Sequence, residues 1–186
     1  MPTIAEPSTT VHTSFPCTVR DMQYGAGVFA TRDIARGEII MTIDGRTQSH
    51  PTRYSIQLDH GVHIEASATL PDAEMRVRHP WRFLNHCCAP NAHVQGQSLL
   101  ARQPIRAGEQ VTFDYTTTEA DMAEPFACAC GTPECVGTVR GFKHLSAANQ
   151  HARASHLAPH IKSLLAPLHA PLHDPLHGAV SQPNTK

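Results

Sequence analysis

Aromatic residues are scarce in this chain of 186 residues: one Trp, three Tyr and six Phe account for 5% of it. Together with many short β-favouring runs, that scarcity points to a small β-rich fold. Charge of one sign is also missing, with 15 Lys and Arg against 16 Asp and Glu and no basic cluster. This excludes a chain whose main task is to hold phosphate backbones, so no direct nucleic-acid binding is expected. No apolar run approaches the ~20 residues of a membrane helix. Met1 to Phe15 lacks a basic cluster followed by an apolar stretch, so neither a signal peptide nor a transit segment is expected. These absences predict a soluble intracellular protein, with no choice between cytoplasm and nucleus or nucleoid, built as one domain plus tails. In a reducing setting its six cysteines, three of them within Cys128 to Cys135, read as metal ligands or buried thiols rather than disulfides.

Residues 1–16 mix Pro, Ser and Thr without periodicity and predict a disordered leader. From Cys17, short β-runs (Cys17 to Arg20, Gly27 to Ala30, Ile39 to Ile43) alternate with glycine turns. Tyr54 to Asp59 and Val62 to Glu65 predict a hairpin about His60-Gly61, and Ala92 to Ala101 a pairing with Gln110 to Tyr115. Helical character is confined to Leu70 to Arg78 and a short stretch at Trp81 to His86. After Phe142 histidine and proline become frequent. Residues 143–165 carry Leu157, Ile161, Leu164 and Leu165 at helical spacing and predict a helix. Prolines 167, 171 and 175 then break the pattern, so residues 166–186, with His169, His173 and His177, read as a disordered tail without a formed metal site.

Cys128, Cys130 and Cys135 offer three thiolates within eight residues, with Gly131 supplying a tight turn. A structural zinc prefers four soft ligands, and Cys88 is the leading fourth. The same cysteines also suit reduced thiols in a loop, or a site completed by His86 or His144. Cys17 and Cys87 read as buried thiols. Gly25-Ala26-Gly27 alone fits a plain turn, and it is no dinucleotide fingerprint, since no GxGxxG opens a helix. Asn85-His86 lies between Leu84 and two cysteines, where burial demands hydrogen-bond partners. Tyr115 closes a run in which Val111 and Phe113 alternate with Thr112 and Asp114, and on periodicity alone it is a core or edge aromatic.

Taken in order, Gly25-Ala26-Gly27-Val28-Phe29, Arg82-Phe83-Leu84-Asn85-His86-Cys87-Cys88-Ala89-Pro90-Asn91, Glu109 to Tyr115 and the cysteine cluster resemble the motifs of SET-domain protein lysine methyltransferases with a post-SET zinc segment. The resemblance spans about Cys17 to Phe142. It implies a mainly β fold with short helices: small curved sheets, a C-terminal pseudoknot through Arg82 to Asn91, a SET domain over 17–116 and a zinc-bound post-SET segment over 117–142. It implies S-adenosyl-L-methionine as cofactor, contacted by Gly25, Ala26, Gly27, Asn85, His86 and Phe126, and Zn²⁺ on Cys88, Cys128, Cys130 and Cys135. It implies Tyr115 as the catalytic residue, with Tyr54, Phe113 and Tyr115 lining a lysine channel, and a Phe at 113 goes with di- or trimethylation. A phenol with an ordinary pKa near 10 serves there as a hydrogen-bond donor rather than a strong base.

Three departures stand out: Cys87 in place of the usual Ser, His79-Pro80-Trp81 leading into Arg82-Phe83, and a short span between the first and third motifs. No cysteine-rich segment precedes the domain. Between Cys17 and Gly141 fourteen acidic residues face eleven basic ones, which suits a protein substrate with a basic, histone-like lysine segment. The alternative is a non-catalytic interaction module of the same fold, stabilised by zinc.

Overall fold

A computed structural model describes residues 15–67 and 69–165. The leader up to residue 14 and the tail 166–186, with its three histidines, lie outside the described residues. Within them the protein is mainly β, with short helices. Strands β1 (Cys17–Asp21), β2 (Ala26–Ala30), β3 (Ile39–Thr42) and β4 (Arg46–Gln48) are followed by the hairpin β5 (Ile56–Asp59) and β6 (Val62–Glu65). Gly61 sits in the left-handed region at φ 62°, which the two-residue loop His60-Gly61 needs and a side chain resists. Helix α1 (Asp72–Arg78) carries acids in its first turn and Arg76 and Arg78 in its last, matching the helix dipole. It stops where Pro80 begins a 3₁₀ turn, Pro80–Phe83. Then come β7 (Asn85–His86), β8 (Ala92–Gln95), β9 (Ser98–Ala101), β10 (Gln110–Phe113) and the ribbon β11 (Phe126–Ala127) and β12 (Thr138–Val139). Helices α2 (Ala147–Ala152) and α3 (Pro159–Lys162) end the described chain.

Three small sheets share one core. Their orders are β1-β2-β10-β7, β3-β9-β8 and β4-β6-β5, while β11 and β12 form a separate pair. In β10, Val111 and Phe113 are buried and Gln110 and Thr112 only partly so, the period-two pattern of a strand with one wet face. Val28, Ile40, Met41, Ile64, Trp81, Leu99 and Val111 are almost wholly inside, each worth roughly 1.5–3 kcal/mol against exposure. Aliphatic side chains thus carry the interior, and the single Trp81 also donates its indole N–H to Asp44 O at 3.2 Å.

Two sequence expectations are corrected here. The run Ala92 to Ala101 folds on itself as the hairpin β8–β9, while Gln110–Phe113 pairs with β2 and β7 instead. Gly96 at φ 58° makes the turn inside that run. The helix over 143–165 is broken: α2 ends at Ala152, a 3₁₀ turn spans Ala154–His156, and Pro159, which lacks an N–H, opens α3 at its first position. Phe142, Ala158 and Ile161 form a second small core with Leu145, Leu157 and Leu164 against it. The segment is therefore packed onto the domain. Among the described residues no helix is long and apolar enough to cross a membrane.

Candidate functional site

The parallel pairing of β7 with β10 sets Asn85 opposite Thr112 and His86 opposite Phe113. Asn91 splints the same edge, donating to Gln110 O at 2.8 Å and accepting from Thr112 N–H at 2.9 Å. Tyr115 follows at the start of a 3₁₀ turn, Tyr115–Thr117. Its main-chain N–H donates to His86 Nδ1 at 3.1 Å, and its phenol donates to Leu84 O at 2.5 Å. The rings of Phe113, His86 and Phe126 surround it, with centroids at 4.8, 5.3 and 6.0 Å. Burial pushes the Tyr115 phenol far up, with the carboxyl of Glu119 adding to the effect. Tyr115 is thus a neutral donor at neutral pH.

His86 connects this ring cluster to the cysteines. Its Nδ1 accepts from Tyr115, so the proton of the neutral ring is on Nε2, which stands 3.2 Å from Cys88 Sγ. Burial holds His86 below its ordinary value, and Arg153 acts the same way against Asp114. The 3.7 Å approach of Asp114 to Nδ1 is therefore not an ion pair, because that nitrogen is already an acceptor. The side chain is committed at both nitrogens, so any cofactor contact from His86 comes from its main chain.

Cys88, Cys128, Cys130 and Cys135 offer sulfurs that all lie within 4.8 Å of one another, and Cys88 and Cys128 are 3.9 Å apart. A tetrahedral ZnS₄ site with bonds of about 2.3 Å has sulfurs separated by roughly 3.8 Å, so the donor set fits zinc in number, softness and spacing. Val136 N–H points at Cys88 Sγ from 3.5 Å, and Thr132 Oγ1 lies 3.3 Å from Cys130 Sγ. With His86 these groups supply the outer hydrogen bonds that orient thiolates on a metal. Burial raises the thiols of Cys88 and Cys128, the latter to about 11, so a metal taking them as thiolates displaces protons. Cys87 is not buried as expected. It extends the β7 pairing through its N–H to Phe113 O at 3.1 Å, is partly exposed, and its thiol faces Cys130. Cys17 is half-buried against the main core, where burial lifts its thiol to about 12.

On the other side of Asn85 lies the turn at Gly25, Ala26 and Gly27. Asn85 Nδ2 donates to Ala26 O at 3.0 Å. A Cβ on Gly27 would stand 2.6 Å from Gln110 Nε2 and 2.7 Å from Met22 Sδ, so a side chain there would push both of these flexible ends aside. Asn85 and Gln110 both direct amide N–H groups at the Met22 sulfur, at 3.6 and 3.5 Å. A thioether is a weak acceptor, and Met22 is 40% exposed. Two good donors beside a mobile-ended side chain fit a polar, carboxylate-bearing ligand such as S-adenosylmethionine. Tyr54 stands apart from the Tyr115 cluster: it is 43% exposed, with the Arg82 guanidinium 3.8 Å over its ring.

Sequence reasoning missed the buried polar layer behind Tyr115. Asp114, 2% exposed, receives Arg153 Nε at 2.7 Å from α2's end. Glu119 accepts from Gln57 N–H at 2.7 Å, and burial lifts its carboxyl to about 7 against the hydrogen bonds of Gln57 and Thr118. His63, 3.9 Å away, is held down by burial and by His160 and His50, so the two do not form an ion pair near neutrality. Asp114 was visible only as a polar position in an alternating run, and Arg153 had no signal at all.

The SET domain family model matches residues 25–116. The chain is 32% identical over 149 residues to "Histone-lysine N-methyltransferase, H3 lysine-36 specific" of Yarrowia lipolytica, covering 68% of this chain and 18% of that one. It is 31% identical over 117 residues to "Methyltransferase flvH" of Aspergillus flavus, covering 61% and 58%. It therefore spans less than two thirds of the length of either relative. Among solved structures, KRYPTONITE in complex with mCHG DNA and SAH aligns over 67% of this chain and 29% of that one, with 22% identity and a TM-score of 0.49, too low to establish a shared fold by itself. The matched stretch begins at the Gly25 turn, includes the Asn85–His86 strand and closes just after Tyr115: the chain belongs to the SET-domain family.

Proposed function

We propose that the protein transfers methyl groups from S-adenosylmethionine to the side-chain nitrogen of lysine in a protein substrate. The observation that carries this reading is Tyr115, held by His86 on its N–H and by Leu84 O on its phenol inside a ring of Phe113, His86 and Phe126. The cofactor, when bound, supplies an electrophilic methyl group on a sulfonium. Asn85, Gln110 and the Gly25–Gly27 turn are the groups that hold it. Tyr115, neutral and with its proton donated to Leu84 O, leaves its phenol oxygen to face the place where positive charge is passed from sulfur to nitrogen.

A lysine must shed its proton, from an ordinary pKa of about 10.4, before its nitrogen can attack. The apolar faces of Phe113 and Phe126 disfavour the ammonium and exclude water, which eases that loss. Phe113, wholly apolar where a Tyr would hold a water or an amine, leaves room for a methylated nitrogen, and the product is di- or trimethyl-lysine. Zinc on Cys88, Cys128, Cys130 and Cys135 is structural: it fastens the strand bearing Phe126 beside the strand bearing His86. The relatives' names point to histone H3 as the first protein to try.

The test is transfer of labelled methyl from S-adenosylmethionine to core histones and other basic proteins, wild type against Tyr115→Phe, with cofactor binding followed by calorimetry. Transfer that depends on Tyr115 supports the reading. Absence of both transfer and cofactor binding favours the interaction module.

A further inference from the structure

We propose that Arg153, which lies beyond the family match and beyond the cysteine ribbon, is a positioning residue for Tyr115. This rests on the catalytic reading of Tyr115 above. Asp114 precedes Tyr115 and is the N-cap of its turn. One carboxylate oxygen, Oδ1, accepts from Thr116 N–H at 3.0 Å and from Thr116 Oγ1 at 2.7 Å. The other, Oδ2, accepts from Arg153 Nε at 2.7 Å, with both side chains below one-tenth exposed. Tyr115 is thereby fixed between a capped residue before it and a capped residue after it. A carboxylate buried to this degree needs a hydrogen-bonded partner, and Arg153 is the cation that bonds it.

Arg153 is itself aimed. Its Nη1 donates to Asn149 O at 3.0 Å, and Nη2 is buried without a partner, so the guanidinium is held by α2 and spends its Nε on Asp114. Two further bonds bring the same segment onto the same turn: Ala158 N–H to Thr117 O at 2.9 Å and His160 Nε2 to Thr118 O at 2.8 Å. Arg102 also lines the cavity of about 350 Å³ beside Asp114 and acts on it through space, but no hydrogen bond joins them. Without Arg153, Asp114 has a cavity with Arg102 on its wall to turn into, and the cap on Thr116 is released. The C-terminal segment therefore does more than add stability: two bonds dock it on the turn, and the Arg153–Asp114 ion pair sets the main chain on which the phenol stands.

The experiment compares wild type, Arg153→Met, Arg153→Lys and Ile161→Ala. Ile161 is buried in the same segment without touching Asp114, so it reports plain destabilisation. Amide exchange at Thr116 and Thr117 is expected to speed at least ~10-fold in Arg153→Met and to stay near wild type in Ile161→Ala, well below the melting temperature of each. In turnover, Arg153→Met is expected to lower kcat at least ~10-fold with KM for cofactor and peptide within about threefold, with Arg153→Lys recovering most of the loss. Should Arg153→Met not fold, Asp114→Asn/Arg153→Gln removes both charges and is read in the same way. Unchanged exchange at Thr116 overturns the proposal, and so does an equal kcat loss in Ile161→Ala. If wild type transfers no methyl at all, the catalytic reading fails, while the exchange arm still decides whether Arg153 holds the turn.

Discussion

The imidazole of His86 accepts the main-chain N–H of Tyr115 at 3.1 Å, and with its other nitrogen it reaches Cys88 Sγ at 3.2 Å. One neutral ring thus ties the residue proposed for catalysis to the first sulfur of the metal cluster. The tautomer follows from the acceptor role of Nδ1, and burial keeps the ring unprotonated.

Replacing His86 with Ala removes both bonds at once. A buried N–H on Tyr115 then lacks its acceptor, which costs ~1–3 kcal/mol, and Cys88 loses an outer hydrogen bond, which costs about 10–100-fold in metal affinity. Urea unfolding and zinc competition with a chromophoric chelator read the two effects separately. Zinc affinity equal to wild type would show that Nε2 does not support the thiolate.

Tyr115→Phe removes only the bond to Leu84 O, since the ring packing is kept. A fall of roughly 10²–10³ in kcat is expected, the size of losing one preorganised polar group at a reacting centre. Calorimetric cofactor affinity is expected to stay within a factor of three, because Asn85, Gln110 and the glycine turn are untouched.

Chelation acts on a defined part of the chain. β11 and β12 pair over only Phe126–Val139 and Ala127–Thr138, too little to persist in water alone. Stripping zinc is therefore expected to expose 126–139 to proteolysis while the sheets of the main core stay protected. Cys130→Ser is expected to show the same pattern with metal present, and Cys17→Ser is not.

Glu119 gives the pH dependence. Its carboxyl titrates near 7 in the fold against about 4.5 for an ordinary glutamate. Between those values the folded state holds a proton that the unfolded state has released, so stability falls as pH rises through this window. The full effect is on the order of 3 kcal/mol. Glu119→Gln cannot titrate, so its stability relative to wild type should climb from pH 5 to pH 7.5 in urea melts. His63, held low by burial, adds the opposite slope below its ordinary value, but it is common to both proteins. A difference flat with pH would mean that Glu119 is ionised throughout.

Local pattern made much of this protein legible. The hairpin at His60-Gly61, the strand Gln110–Phe113 and the short helix before Pro80 are all encoded within a few residues, by a left-handed glycine, by alternation and by a missing N–H, although the strand stops two residues before Tyr115, which opens a 3₁₀ turn instead. The four cysteines were legible too, because metal-ligand chemistry needs particular residue types at close spacing. The partner strands of Gln110–Phe113 were not, since pairing with β2 and β7 depends on which edges meet across the core, and alternation does not record that.

Least legible was the layer behind the site. Arg153 looks like any arginine in a polar, histidine-rich stretch, and Asp114 like the wet face of a strand. Their ion pair exists because Phe142, Ala158 and Ile161 pack together and carry the end of α2 back over the Tyr115 turn. The sequence by itself determined the residue types that chemistry demands: glycines for the turn, a tyrosine, thiols for a metal. Only the tertiary structure decided which buried charge faces which, because burial strips away water and leaves each charged group dependent on whatever distant segment the packing brings beside it.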